Sequence, residues 1–371
     1  MGALSLFLAA AGCDTGGVEG HVAHPCPPGS CCAGMCCAQP AIGTDAATLP
    51  AKPNAPGASG SAATVLAISK LYFGDTDRSG RASSSAWQTY GLNIDGKVTG
   101  WDATNVCTLA SGASVCTQVD GKGGVDNSFG ENIVPIILTL DDMFASDANG
   151  SIEHGGGTML LQLDALGSSD SYSLLPGALY RAMPTEQPPR WDGTDIRDVD
   201  DVSLVGGDIS KPLALLPDGY MNDRFWVGGL SSGAAYFDVQ AMSGTGAFLP
   251  PIPLHHVQVA MRIAPGNGSA TSGVLSGVAR TADVVAWFQL WAGTISTTLC
   301  AGSAFQSIAA QFEQMSDIMA DGTNEPGKQC DGISVGLGFD AVAVQLGKPA
   351  ATVPIGNPCA DGGVSTTSDG G

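Results

Sequence analysis

The sequence predicts a mainly β protein, an antiparallel sandwich or jelly-roll-like domain with two late α-helices packed on it. Short apolar runs recur about every ten residues across 64–358 and are separated by Gly, Asp and Pro, a texture typical of many short strands. Glycine and proline supply 52 and 22 of the 371 residues, which favours turns over long helices. The alternation of strands and helices that a doubly wound parallel sheet requires is missing.

The strands are predicted from short apolar or alternating runs. Residues 257–263 alternate apolar and polar side chains, as expected for a strand with one face in water. The full set of predicted strands is 65–73, 88–94, 133–140, 158–163, 172–180, 201–205, 224–227, 235–241, 257–263, 273–278, 333–337 and 341–346.

Two helices follow late in the chain. One begins at Thr281 and is apolar nearly all round, which predicts that it is buried. The other begins at Ser303 as N-cap, with Gln306 completing a capping box, and ends before Gly322. Its apolar stripe is predicted to pack in the core and consists of Phe305, Ile308, Phe312, Met315 and Met319.

The first residues predict export. Residues 1–12 have the length of a signal peptide and end in small residues before Cys13. This run resembles a bacterial lipobox, which predicts lipidation of Cys13 and attachment to a membrane through the lipid. The alternative is an ordinary secretory signal that is cleaved after small residues.

The next segment, 13–63, is predicted to be a disordered tether, and 359–371 a disordered tail. The tether is rich in Cys, Pro and Gly and has almost no large apolar residue with which to form a core. Its cysteine cluster at 26–37 predicts disulfides, because exported proteins meet oxidising conditions. The alternative is a metal site shared with His21 and His24.

One disulfide is predicted from a hairpin. Residues 105–119 have the pattern of two short strands around a turn at Ser111 and Gly112. In that register Cys107 and Cys116 lie opposite each other within disulfide reach, so we predict a bridge between them.

Charge and motifs exclude several functions. The net charge of −20 argues against nucleic-acid binding, which needs clustered Lys and Arg. No glycine-rich phosphate loop is present. Ser231 lies in a Gly-x-Ser-x-Gly motif, but the segment behind it alternates like a strand, so catalysis at Ser231 is not predicted. His255 and His256 are neighbours on a predicted strand and should point to opposite faces, which prevents joint chelation without a bend.

Acidic loops predict a calcium site. Asp75, Asp77 and Ser79 offer oxygen atoms at alternate positions, and Gly80 allows the sharp turn, as in the first half of an EF-hand loop. Position twelve of such a loop would be Ala86 and not the usual Glu, so a true EF-hand is excluded. The alternative is that these residues only stabilise a turn.

The combination of lipobox, Cys- and Pro-rich tether and Gly/Asp-rich β domain resembles uncharacterised surface or periplasmic lipoproteins of high-GC Gram-negative bacteria such as myxobacteria. The resemblance implies an outer-membrane, cell-surface or periplasmic location and no assigned activity. We therefore expect a lipid-anchored envelope protein with a non-catalytic binding or structural role, stabilised by calcium. Its expected partner is a glycan or an envelope protein. The alternative is a secreted hydrolase that acts on polysaccharide or ester substrates.

Overall fold

The fold comes from a computed structural model, which describes residues 49–60, 62–100, 102–230, 233–237, 251–351 and 357–360, and the backbone of 31–32 and 35–36. Within these residues eleven strands form one sheet, and Cys31–Cys32 (β1) pairs separately with Met35–Cys36 (β2). The predicted mainly antiparallel β class is confirmed. The sandwich or jelly roll is not confirmed, because the strands follow one another in a single sheet.

The sheet contains short strands at its edges and long strands at its centre. In chain order its strands are Thr64–Tyr72 (β3), Met159–Leu163 (β4), Gly177–Arg181 (β5), Ile196–Asp200 (β6), Ala214–Leu216 (β7), Tyr220–Asn222 (β8), Phe225–Gly229 (β9), Ala235–Phe237 (β10), Ile252–Ile263 (β11), Ser269–Arg280 (β12) and Gly332–Ala350 (β13). Their spatial order is β7-β5-β4-β3-β13-β12-β11-β9-β8, with β10 on β11 and β6 on β13. Among these described strands only β6 and β13 pair in parallel.

Strand β13 lies at the centre and shows a clear period of two. Its larger apolar side chains belong to the main core: Ile333, Val335, Leu337, Phe339 and Ala341. The residues between them are small, namely Ser334, Gly336 and Gly338. This small face allows another segment to lie directly on the strand, because a Cβ atom added to Gly336 would come within 2.2 Å of the carbonyl oxygen of Tyr90.

Four α-helices lie within the described residues: Val134–Leu140 (α1), Phe144–Glu153 (α2), Thr281–Ile295 (α3) and Gly302–Gln314 (α4). They contribute aromatic side chains to the main core, including Phe288 of α3, whose ring meets that of Phe312 edge-on at 4.8 Å between centroids. None of them is long and apolar enough to cross a bilayer. A smaller core on the opposite face of the sheet contains Val65, Ala67 and Leu160.

Both late helices are present, but the second lacks the capping box and ends at Gln314, well before the predicted stop at Gly322. Helix α3 begins at Thr281 and buries Trp287, Phe288 and Trp291, as predicted. Helix α4 begins one residue before Ser303 and has no side-chain cap bond at its N-terminus.

Several predicted strands differ from the observed elements. Residues 133–140 form helix α1 and not a strand, because Pro135 occupies the first turn, where a helix tolerates it and a central strand would lose a hydrogen bond. Residues 88–94 form a short turn of 3-10 helix and an irregular segment in which Gly91 has a φ of 137°. The segments 333–337 and 341–346 are one continuous strand, β13.

Candidate functional site

A groove of about 1000 Å³ lies where strand β11, helices α3 and α4 and the segment that leads into β13 meet. Its floor includes Ala282 and Ala286, which lie one turn apart on α3 and are exposed. Phe305 of α4 and Met319 stand in the lining as well, both partly buried. The apolar stripe predicted for the second helix therefore has two environments. Ile308 and Phe312 are buried in the core, and Phe305 and Met319 line the groove.

His255 and His256 both line this groove, although adjacent strand residues should point to opposite faces. The reason is a bulge in β11. The register with β12 shifts after His255, and His256 has a φ of 52°, a left-handed value for a residue that is not glycine. The backbone strain is local and places both imidazoles on one side, which the sequence did not predict.

The segment between α4 and β13 leaves room for His256. Gly322 has a φ of 75°, and a Cβ atom on it would lie 2.9 Å from Cγ of the His256 ring. The neighbouring Asp321 accepts hydrogen bonds from the backbone N–H of Thr323 at 3.0 Å and from its hydroxyl at 2.6 Å. The hydroxyl bond contributes most to lowering the pKa of Asp321, so this carboxylate remains charged.

The groove carries charges of both signs. Arg280 at the end of β12 lines the groove, together with the acidic residues Glu313, Asp321 and Asp331. Burial, together with the nearby Arg280 guanidinium, lowers the pKa of His255, which is therefore neutral at pH 7. Such a lining can hold both donors and acceptors of a ligand and offers apolar contacts from α3.

A disulfide closes one end of the groove. Cys330, a lining residue, is bonded to Cys107 with a Cα–Cα distance of 5.3 Å. The predicted Cys107–Cys116 bridge is thus wrong. Residues 115–118 form a turn of 3-10 helix and not a second hairpin strand, so the predicted register does not exist. Cys116 is also disulfide-bonded, but not to Cys107.

A second disulfide joins Cys300 to Cys359, again with a Cα–Cα distance of 5.3 Å. It connects the turn after α3 with the segment beyond β13. Gly293 makes room for it, since a Cβ atom there would lie 2.8 Å from the sulfur of Cys300. The prediction of disulfide bonds in this chain is confirmed by these two pairs.

A buried group of carboxyls lies beside the groove and outside its lining. Asp120 and Asp126 stand at the two ends of a tight turn, and both carboxyl groups are buried. Burial raises the pKa of Asp120 to about 8, and burial together with the charge of Asp120 raises that of Asp126 well above its usual range.

Two further acids belong to this group. Burial raises the pKa of Asp317 to about 7, although the carboxylate accepts hydrogen bonds from the N–H and hydroxyl of Ser334. Burial also raises the pKa of Glu131, with the charge of Asp317 adding to the effect. The sequence showed the Asp-rich loop at 120–127, but nothing in its pattern distinguished buried from exposed carboxyls.

The predicted calcium residues lie together in one loop. One oxygen of Asp77 accepts hydrogen bonds from the backbone N–H groups of Ser79 and Arg81, at 2.8 and 3.1 Å, and from the Ser79 hydroxyl at 2.6 Å. Those bonds close the loop as a turn. Asp75 contributes a buried oxygen without a hydrogen-bond partner, and burial raises the pKa of Asp75. Calcium binding here stays a prediction.

Several predicted features lie outside the described residues, namely the signal peptide, Cys13, most of the tether, the tail beyond residue 360, and Ser231. Two aromatic residues that follow the predicted calcium loop in the sequence, Trp87 and Tyr90, are buried. A third, Trp101, lies outside the described residues. Among the residues that the structure describes, no group of three or more His, Cys, Asp or Glu side chains is arranged to hold a metal ion.

Comparison with known proteins found no matching family model, no matching curated protein and no matching solved structure. The function of this chain is therefore inferred from its own geometry.

Proposed function

We propose that this chain is an exported envelope protein that binds a polypeptide partner in the groove beside His255 and His256, without a catalytic step. One observation carries the proposal: a groove of about 1000 Å³ combines a wall of small apolar side chains with charges of both signs. Ligand sites with this composition use apolar area for affinity and a few polar groups for orientation.

A polypeptide fits this lining better than a glycan does. Glycan sites present exposed aromatic rings for stacking, and the groove lining has one aromatic residue, Phe305. A polypeptide offers both amide and charged groups, which suit the imidazoles, Arg280 and the carboxylates. Ala282 and Ala286 leave space for a side chain of the partner.

Export is supported by the covalent chemistry. Cys107–Cys330 and Cys300–Cys359 are disulfides between well-separated parts of the chain, and such bonds persist in oxidising compartments. Attachment through a lipid on Cys13 and stabilisation by calcium at Asp75, Asp77 and Ser79 belong to the same proposal.

The test is selection of displayed peptides against the purified protein, followed by measurement of the affinity of the selected peptides. Ala286→Arg places a long side chain in the groove at an exposed position, so we expect at least tenfold weaker binding. Ala310→Arg makes the same change on an exposed position of α4 outside the lining and should leave affinity unchanged.

Two results would contradict the proposal. Equal affinity of both variants would place the binding surface elsewhere. Turnover of a chromogenic ester or of a polysaccharide, abolished in His255→Ala, would support the hydrolase alternative.

A further inference from the structure

We propose that a second cavity, beside strand β6, binds a carboxylate group through Arg197. The cavity measures about 580 Å³ and lies between residues 184–190 and 195–198. It shares no lining residue with the groove, so this site is independent of the proposed peptide binding.

Arg197 is a fully buried cation whose donors are only partly used. Its residue exposure is 0%. Nη2 donates hydrogen bonds to the carbonyl oxygens of Gly156 at 2.6 Å and Met183 at 3.2 Å. Among the residues that the structure describes, Nε and Nη1 have no hydrogen-bond partner. A buried guanidinium with unpaired N–H groups is unfavourable, so these nitrogens indicate an acceptor that the described residues do not supply.

The acids around the cavity do not fill that role. Asp195 is close enough to act on the charge of Arg197, but its two oxygens accept hydrogen bonds from the backbone N–H groups of Arg190 and Trp191. Asp198 accepts one from the backbone N–H of Lys348. Neither forms an ion pair with Arg197.

A buried arginine on the adjoining part of the sheet shows the contrast. Arg181 of β5 is 3% exposed and forms an ion pair with the fully buried Asp200 at the end of β6. The fold thus supplies a partner to one buried arginine and leaves unpaired donors on the other, Arg197, which is a lining residue of the cavity.

The chemistry of the lining favours a carboxylate over a phosphate. A guanidinium matches the planar oxygens of both groups. The charged lining residues are Arg190 and Arg197 against Glu186, Asp195 and Asp198, which leaves one excess negative charge. A singly charged carboxylate is repelled less by this excess than a doubly charged phosphate.

A ligand can reach Arg197 only by passing the cavity wall. Since Arg197 has no surface open to water, a ligand reaches it only when part of the wall moves. Residues 184–189 have no regular secondary structure, and Glu186, Gln187 and Pro188 are exposed. This segment is the part of the wall that can move without breaking the sheet.

The experiment measures the melting temperature in acetate, phosphate and chloride at equal pH and ionic strength. We expect acetate to raise the melting temperature of the wild type saturably above its value in chloride, and phosphate to raise it less. This excess should be lost in Arg197→Met and retained in Arg190→Met, which removes the other cavity arginine.

A purely structural role gives a different result. If Arg197 serves only the carbonyls of Gly156 and Met183, Arg197→Met will lower the melting temperature equally in acetate and in chloride. On our proposal the wild type melts higher in acetate than in chloride and the variant does not, whatever the loss of the two carbonyl hydrogen bonds costs in both salts. Should Arg197→Met fail to fold, the wild type decides alone: no saturable excess in acetate overturns the proposal.

Discussion

Asp120 and Asp126 are neighbouring carboxyl groups inside the protein, and together they make the stability depend on pH. Burial raises the pKa of Asp120 to about 8 and that of Asp317 to about 7. In the unfolded chain an Asp titrates near about pH 4. Between these values the native state holds protons that the unfolded chain has lost, so stability is full at low pH and falls as the pH rises toward about 8.

We predict that the free energy of unfolding decreases from pH 5 to pH 8 by about 1.4 kcal/mol per pH unit for each proton held. Asp126→Asn removes one group that holds a proton in the native state, so the slope should become shallower by about one proton. Urea unfolding across this pH range measures it.

Asp142→Asn is the matched control, since Asp142 is exposed and is not among the charges that raise the pKa of Asp120 or Asp126. A slope that is the same for Asp126→Asn, the control and the wild type would show that the pair does not retain a proton.

At the scale of elements, the bulge in β11 and the segment before β13 act together on one imidazole. Gly322 and Gly327 lie in that segment with φ values of 75° and 81°, so alanine is strained at either position. The surroundings differ. A Cβ atom at Gly322 would contact His256, whereas one at Gly327 would meet nothing within 4 Å.

We predict that Gly327→Ala costs about 1–2 kcal/mol, the penalty of the left-handed backbone alone. Gly322→Ala should cost about 1–3 kcal/mol more, because the methyl group forces His256 from its position. Denaturant unfolding of both variants gives the difference. Equal costs would mean that the His256 ring yields freely and is not held by this segment.

The elements also show which sequence patterns were reliable. The alternation at 257–263 predicted a strand, and the long apolar run beginning at Thr281 predicted a buried helix. Both elements are confirmed. The apolar pattern of the short run at 133–140 fits a strand or a helix equally, and Pro135 in the first turn favours the helix. Cys107 and Cys330 are separated by 223 residues, a pairing that local hairpin geometry could not predict.

The candidate site could be predicted only in part, because it also depends on contacts between distant parts of the chain. His255 and His256 were identified as residues of interest, but the bulge that brings them to one face depends on pairing with β12. Arg197 carried no sequence signal at all, because burial and unused donors are properties of the folded chain.

At the scale of the whole molecule, the proposed location depends on Cys13. We predict that metabolic labelling with palmitate marks the protein produced in a Gram-negative host and that Cys13→Ser abolishes the label, because the thiol of this residue is the acylated group. Cys26→Ser is the control and should keep the label. Equal labelling of Cys13→Ser and wild type, or none of either, would contradict lipidation at this residue.

The central position of β13 has a consequence for how the chain acquires its structure. Strand β3 near residue 70 pairs with β13 near residue 340, so the middle of the sheet joins segments some 270 residues apart. Ribosomal synthesis delivers the amino-terminal part first. Until β13 has been synthesised, one edge of β3 lacks its partner. The pairing is slow because it must close a loop of some 270 residues. The nascent chain therefore remains without its completed sheet until the ribosome has made residues 332–350.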